Sequence, residues 1–180
     1  QDANPCTLAA PCRLLPAALN AVANAGEVWM LDSANYNTTT VVPTKSVTIV
    51  AVPGALGSLV MSGAGSALEL NSVGVRVTVR NVNFVALPGA SALNAVFVGA
   101  GKLSLEHCIL ANLPATAISV TGNSFLRIAN SVIRDNGGAG LSFAAPASAD
   151  VSATLFRDNA AYAILATGGV ATTTPASVTP

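Results

Sequence analysis

Residues 126–136 read Leu126-Arg127-Ile128-Ala129-Asn130-Ser131-Val132-Ile133-Arg134-Asp135-Asn136, and 23 residues later the chain reads Ala149-Asp150-Val151-Ser152-Ala153-Thr154-Leu155-Phe156-Arg157-Asp158-Asn159. The shared Arg-Asp-Asn fixes the register of a repeat. One period toward the N-terminus stands Leu103-Ser104-Leu105-Glu106-His107-Cys108-Ile109-Leu110. A further 26 residues back stands Val77-Thr78-Val79-Arg80-Asn81-Val82-Asn83-Phe84, and an earlier member opens at Val47-Thr48-Ile49. A second short strand recurs in each unit, as in Ala95-Val96-Phe97-Val98, Ala117-Ile118-Ser119-Val120 and Gly140-Leu141-Ser142-Phe143. Turn formers such as Thr121-Gly122-Asn123 and Gly137-Gly138 lie between.

Short strands at this period, with no helix between them, exclude a βαβ sheet. Antiparallel hairpins would not repeat one face pattern in register. A solenoid does: each unit is one coil, and equivalent positions stack about 4.8 Å apart as parallel sheet. The expected fold is all-β, a right-handed parallel β-helix of about six coils in a single domain. Residues 1–26 form its N-terminal cap, 27–169 its coils and 170–180 a C-terminal tail. Differences in coil length fall in loops, the largest at Pro53 to Ser66 and a second at Pro88 to Asn94.

The cap contains a helix over 16–24. Pro16 suits a first helical position. Leu15, Ala18, Leu19 and Val22 share one face, and Gly26 is a plausible terminator. A solenoid whose first coil lies open exposes core and strand edge, so the apolar face of this helix is read as a plug, not as a membrane anchor. Ahead of it, Cys6 and Cys12 enclose five residues rich in Ala and Pro, an interval that closes as a small disulfide loop. Cys108 is left over, in an apolar strand pattern, as a buried thiol. A disulfide implies an oxidising compartment. The start at Gln1-Asp2 is read as that of a mature chain. The expected location is secreted, extracellular or periplasmic.

The series Asn4-Pro5-Cys6, Ala10-Pro11-Cys12, a short helix, Gly26-Glu27-Val28-Trp29-Met30-Leu31-Asp32 and Thr44-Lys45-Ser46-Val47-Thr48-Ile49 resembles the start of bacterial right-handed β-helix repeat proteins of the pectate-lyase-like superfamily. The resemblance runs to about Gly169. It implies the fold, and a superfamily that spans lyases, glycoside hydrolases, epimerases, tailspikes and adhesins. Fold does not choose among them.

Composition narrows the classes. Apolar residues are 52% and charged residues only 9%, yet Gly, Ser, Asn or Pro interrupts every stretch short of the roughly 18 apolar residues of a membrane span. Eight basic and eight acidic residues are scattered with no basic cluster, which argues against nucleic acid and an anionic membrane surface as partners.

Candidate site residues each have a structural role to weigh. Asn136 and Asn159 occupy equivalent turn positions and resemble the superfamily's asparagine ladder. Asp135 and Asp158, beside Arg134 and Arg157, are the minimal form of the carboxylate clusters that superfamily enzymes use for calcium or acid–base chemistry. Asn112 and Ala86 stand at the matching positions, so calcium is unsupported and no cofactor is expected. His107 falls at a bend, as a general-base candidate without an evident partner. On the outward face, Arg127 is expected to meet Asp150, and Arg80 to meet Glu106.

If Cys108, Ser131 and Thr154 point inward, then Ile109, Val132 and Leu155 form an outward apolar column. The tail or a partner chain would cover it, making it a possible homo-oligomer interface alongside the open C-terminal end. Asn37-Thr38-Thr39 matches a glycosylation sequon. The expected function is a non-catalytic secreted or surface module binding polysaccharide or a protein partner. The alternative is a lyase or hydrolase of acidic polysaccharide. Ice binding needs regular outward Thr ranks, and the columns are mixed.

Overall fold

The computed structural model describes residues 3–174 and 177–178. It is a parallel β-solenoid of about six turns with one short N-terminal helix. Each coil has three sides. The first side stacks Gly26–Met30 (β1), Val47–Ala51, the second halves of Leu68–Arg80 and Asn94–Glu106, then Ser124–Ala129, Ser148–Ser152 and Val170–Thr174. The second side stacks Ala34–Asn35, Gly57–Met61, Val82–Ala86, Ile109–Ala111, Val132–Arg134, Leu155–Arg157 and Ser177–Val178. The third side holds the first halves of the two long strands, then Thr116–Val120, Leu141–Ala144 and Ile164–Thr167.

The period-2 alternation sends every second side chain into the coil. Val79, Leu105, Ile128 and Val151 stack on the first side, and Leu59, Phe84, Leu110, Ile133 and Phe156 on the second, all fully buried. Cys108, Ser131 and Thr154 are buried as well. The alternation at this bend is therefore as expected, and Ile109, Val132 and Leu155 do face outward.

Two columns of left-handed residues turn the corners. Asn81, His107, Asn130 and Ala153 have φ between 44° and 56° where the first side meets the second. Asn112, Asp135 and Asp158 have φ between 51° and 56° where the second side meets the third. Asn and Asp adopt this conformation most readily among residues with a Cβ, because their short polar side chains satisfy nearby backbone. The Asp, Asn and His of the repeat are thus first of all corner residues.

Three expectations need correction. The helix, α1, runs Leu15–Ala21 and not 16–24. It stops because Val22 turns extended (ψ 142°), and Lys45 Nζ donates to the carbonyls of Asn20 and Val22 at 2.9 Å each, satisfying that end in place of a further turn. Leu15 is buried, and Leu19 and Val22 pack on the core, as a plug requires. Second, Pro53 to Ser66 is not one loop, since Gly57–Met61 is a second-side strand with Leu59 and Met61 in the core. Flanking glycines hid its alternation. Third, of the courses open to the tail (closing the last coil, crossing the apolar column or running on as a linker), its described residues continue the last coil and do not cross the column. Val170–Thr174 pairs in register with Ser148–Ser152, and Ser177–Val178 with Leu155–Phe156, as a further rung. Its backbone continues the ladder although its sequence lacks the apolar alternation. Residues 175–176 and 179–180 lie outside the described part.

Candidate functional site

The sequence-derived candidates separate once placed. Asn136 is buried and fully engaged. Its Oδ1 accepts the Leu113 N–H at 3.1 Å, and its Nδ2 donates to Leu110 O at 3.2 Å and to Asn159 Oδ1 at 2.8 Å. Asn159 Nδ2 donates to Ile133 O at 3.1 Å. This is a two-rung asparagine ladder. Asn37 does the same on an early coil, exchanging hydrogen bonds with Val60 N at 2.7 Å and Val60 O at 2.9 Å. Its amide is buried and committed, which removes the sequon from the accessible surface of the folded chain.

Asp135 pairs with Arg134 and Asp158 with Arg157, each within its own coil. The Cys6–Cys12 disulfide is formed, with Cα atoms 4.5 Å apart. Cys108 is a buried thiol whose Sγ lies 3.4 Å from Glu106 O and 3.5 Å from Val79 O. Burial pushes its pKa up to about 11. His107 is exposed at its corner, and its backbone N–H donates to Ala129 O at 3.1 Å. Among the described residues, no group of three or more His, Cys, Asp or Glu side chains is placed to hold a metal.

The outward surface of the first side carries what the sequence pattern left dispersed. Arg76 and Lys102 are neighbours in register, followed in the same column by Phe125 and Ser148. Two residues along, the next column reads Thr78, Ser104, Arg127, Asp150, and the one after reads Arg80, Glu106, Ala129, Ser152. Arg76, Lys102 and Arg127 surround a shallow depression of about 260 Å³, floored by Thr78, Ser104 and the half-buried Phe125. The expectation of no basic cluster is corrected here. Arg76 and Lys102 are register neighbours on adjacent coils, and Arg127 stands on the next coil, two residues further along the strand. Extending the repeat alignment one position before each strand would have revealed the column.

Both expected ion pairs form, Arg80 Nε–Glu106 Oε2 at 2.8 Å and Arg127 Nε–Asp150 Oδ2 at a loose 4.0 Å. Arg76 and Lys102 have no ion-pair partner among the described residues. The depression therefore presents exposed positive charge, the Thr78 hydroxyl and one aromatic face, while Glu106, also in its lining, is held by Arg80 and by the Ser104 hydroxyl at 3.3 Å.

Compared with models of protein families, with curated proteins and with solved structures, the chain shows no significant match.

Proposed function

We propose that the chain is a secreted, bacterial β-helix module of the pectate-lyase-like kind that binds an acidic polysaccharide along the outward first side without cleaving it. The observation that carries this is the depression bounded by Arg76, Lys102 and Arg127 over Phe125. Successive coils lie about 4.8 Å apart, close to the length of one sugar ring. A polyuronate lying along the solenoid axis would meet a new rung with each residue. Thr78 offers a hydroxyl to sugar oxygens, and Phe125 offers a face for a pyranose ring. Binding is favoured over cleavage because Glu106 and Asp150 are matched to Arg80 and Arg127 instead of converging as a free acid and base.

The test is affinity electrophoresis and calorimetry with polygalacturonate against a neutral glucan. Affinity for the acidic polymer should fall with rising salt. The double variant Arg76→Glu/Lys102→Glu should bind at least tenfold more weakly with unchanged circular dichroism. Equal affinity for the neutral glucan, or no effect of the double reversal, would remove the proposal. Release of unsaturated or reducing ends, lost in Asp135→Ala or Asp158→Ala, would replace it with the enzymatic alternative.

A further inference from the structure

Among the described residues, the N-terminal strand β1 pairs on one edge only, with Val47–Ala51. The Met30 carbonyl accepts the Val52 N–H at 3.1 Å, so the even-numbered residues of β1 turn their backbone toward that neighbour. In a parallel ladder the alternate residues turn the other way. The N–H and C=O of Glu27 and Trp29 therefore point to the free edge, and no described residue hydrogen-bonds them. Exposed edges of this kind are templates for a further strand unless they are covered or blunted.

This edge is neither covered nor flat. It borders a groove of about 370 Å³ lined by residues of the Cys6–Cys12 loop, α1 and β1. Three exposed apolar side chains, Leu8, Trp29 and Leu31, line the same groove. Leu8 is 74% and Trp29 56% exposed, which is costly for side chains of this size unless something seats on them.

We propose that the groove takes an extended peptide segment of a partner protein by strand addition to β1. Two donors and two acceptors, repeating every second residue at about 6.6 Å, match an extended backbone and not a sugar or a helix. Apolar side chains of the added segment would seat against Trp29, Leu31 and Leu8. A second copy of this chain fits poorly, because its own β1 is bordered by the same loop and helix, and those of the two copies would meet. The site is remote from the basic depression in residues and chemistry, so it stands or falls independently of glycan binding.

Trp29 is the single tryptophan of the chain, so its fluorescence reports on the groove alone. The probe is the peptide Ac-Thr-Val-Thr-Val-Thr-NH2, with a control N-methylated at alternate amides. The native protein should give a saturable blue shift with the first peptide. Exchange at the Glu27 and Trp29 amides should slow at least tenfold, and the methylated peptide should bind at least tenfold more weakly. Glu27→Pro deletes one edge-facing donor at a position where an edge strand tolerates proline. It should weaken binding relative to Glu27→Gln, which keeps the N–H. The proposal is overturned by an absence of response up to about 1 mM peptide, by equal binding of the methylated control, or by a dimer in sedimentation that protects both amides without peptide.

Discussion

Replacing Asn136 with Ala should destabilise the solenoid more than any other single truncation of a polar side chain on its corners. The side chain is 2% exposed and serves three groups at once. Its loss leaves the buried Leu113 N–H without an acceptor and Asn159 Oδ1 without a donor, while Leu110 O keeps the ladder bond from the Arg134 N–H. A buried donor left unsatisfied costs about 1–3 kcal/mol, and the bond lost to Asn159 about 1 kcal/mol. The sum is about 3 kcal/mol. With a urea slope of about 2 kcal/mol/M for a domain of this size, the unfolding midpoint should drop by about 1.5 M. Asn159→Ala removes a half-buried side chain that donates to Ile133 O and accepts from Asn136 Nδ2, and should cost about 2 kcal/mol. The double variant should fall short of the sum by about 1 kcal/mol, since Asn136 and Asn159 share a bond. Equilibrium unfolding followed by far-ultraviolet circular dichroism gives all three midpoints. A midpoint shift for Asn136→Ala below about 0.3 M with unchanged slope would refute the ladder as a source of stability.

Thiol titration should find no reactive cysteine in the native protein near pH 8 and one after denaturation without reductant. Cys108 is buried with its pKa raised, and Cys6 and Cys12 are joined; a prompt native signal would contradict that burial. Lys45→Met keeps the aliphatic stem but deletes the two bonds to the end of α1. It should cost about 1 kcal/mol, seen as an earlier urea midpoint by Trp29 fluorescence. The Tyr36 hydroxyl is held protonated, first by burial and then by its hydrogen bond to Asp32, so its pKa is raised. The associated stability is complete below about pH 10 and is lost as pH climbs through the folded value. Tyr36→Phe should abolish that alkaline loss and the late phase of phenolate absorbance.

The repeat at residues 126–159 was enough to fix the coil, because stacking demands the same inward residue type at the same phase in each turn. The same alignment identified the Asn136–Asn159 ladder, the Arg80–Glu106 and Arg127–Asp150 pairs and the outward column at Ile109, Val132 and Leu155. Those are contacts between neighbouring rungs, and neighbouring rungs are one period apart. The disulfide also followed from spacing alone.

Strand signals failed where composition masked alternation. Gly57–Met61 was hidden by glycines, and Val170–Thr174 pairs through backbone, which any sequence can supply. The left-handed corners were invisible as such, yet they decide what Asp135, Asp158 and His107 are for. The column of Arg76, Lys102 and Phe125 lay one position ahead of the aligned strand starts, and the folded register set Arg127 beside it. Tertiary structure alone left the edge of β1 open beside the disulfide loop and α1. Sequence determined the period, the core and the rungs, since burial writes itself into every turn. The surfaces that could bind something are written once, and only the folded register assembles them.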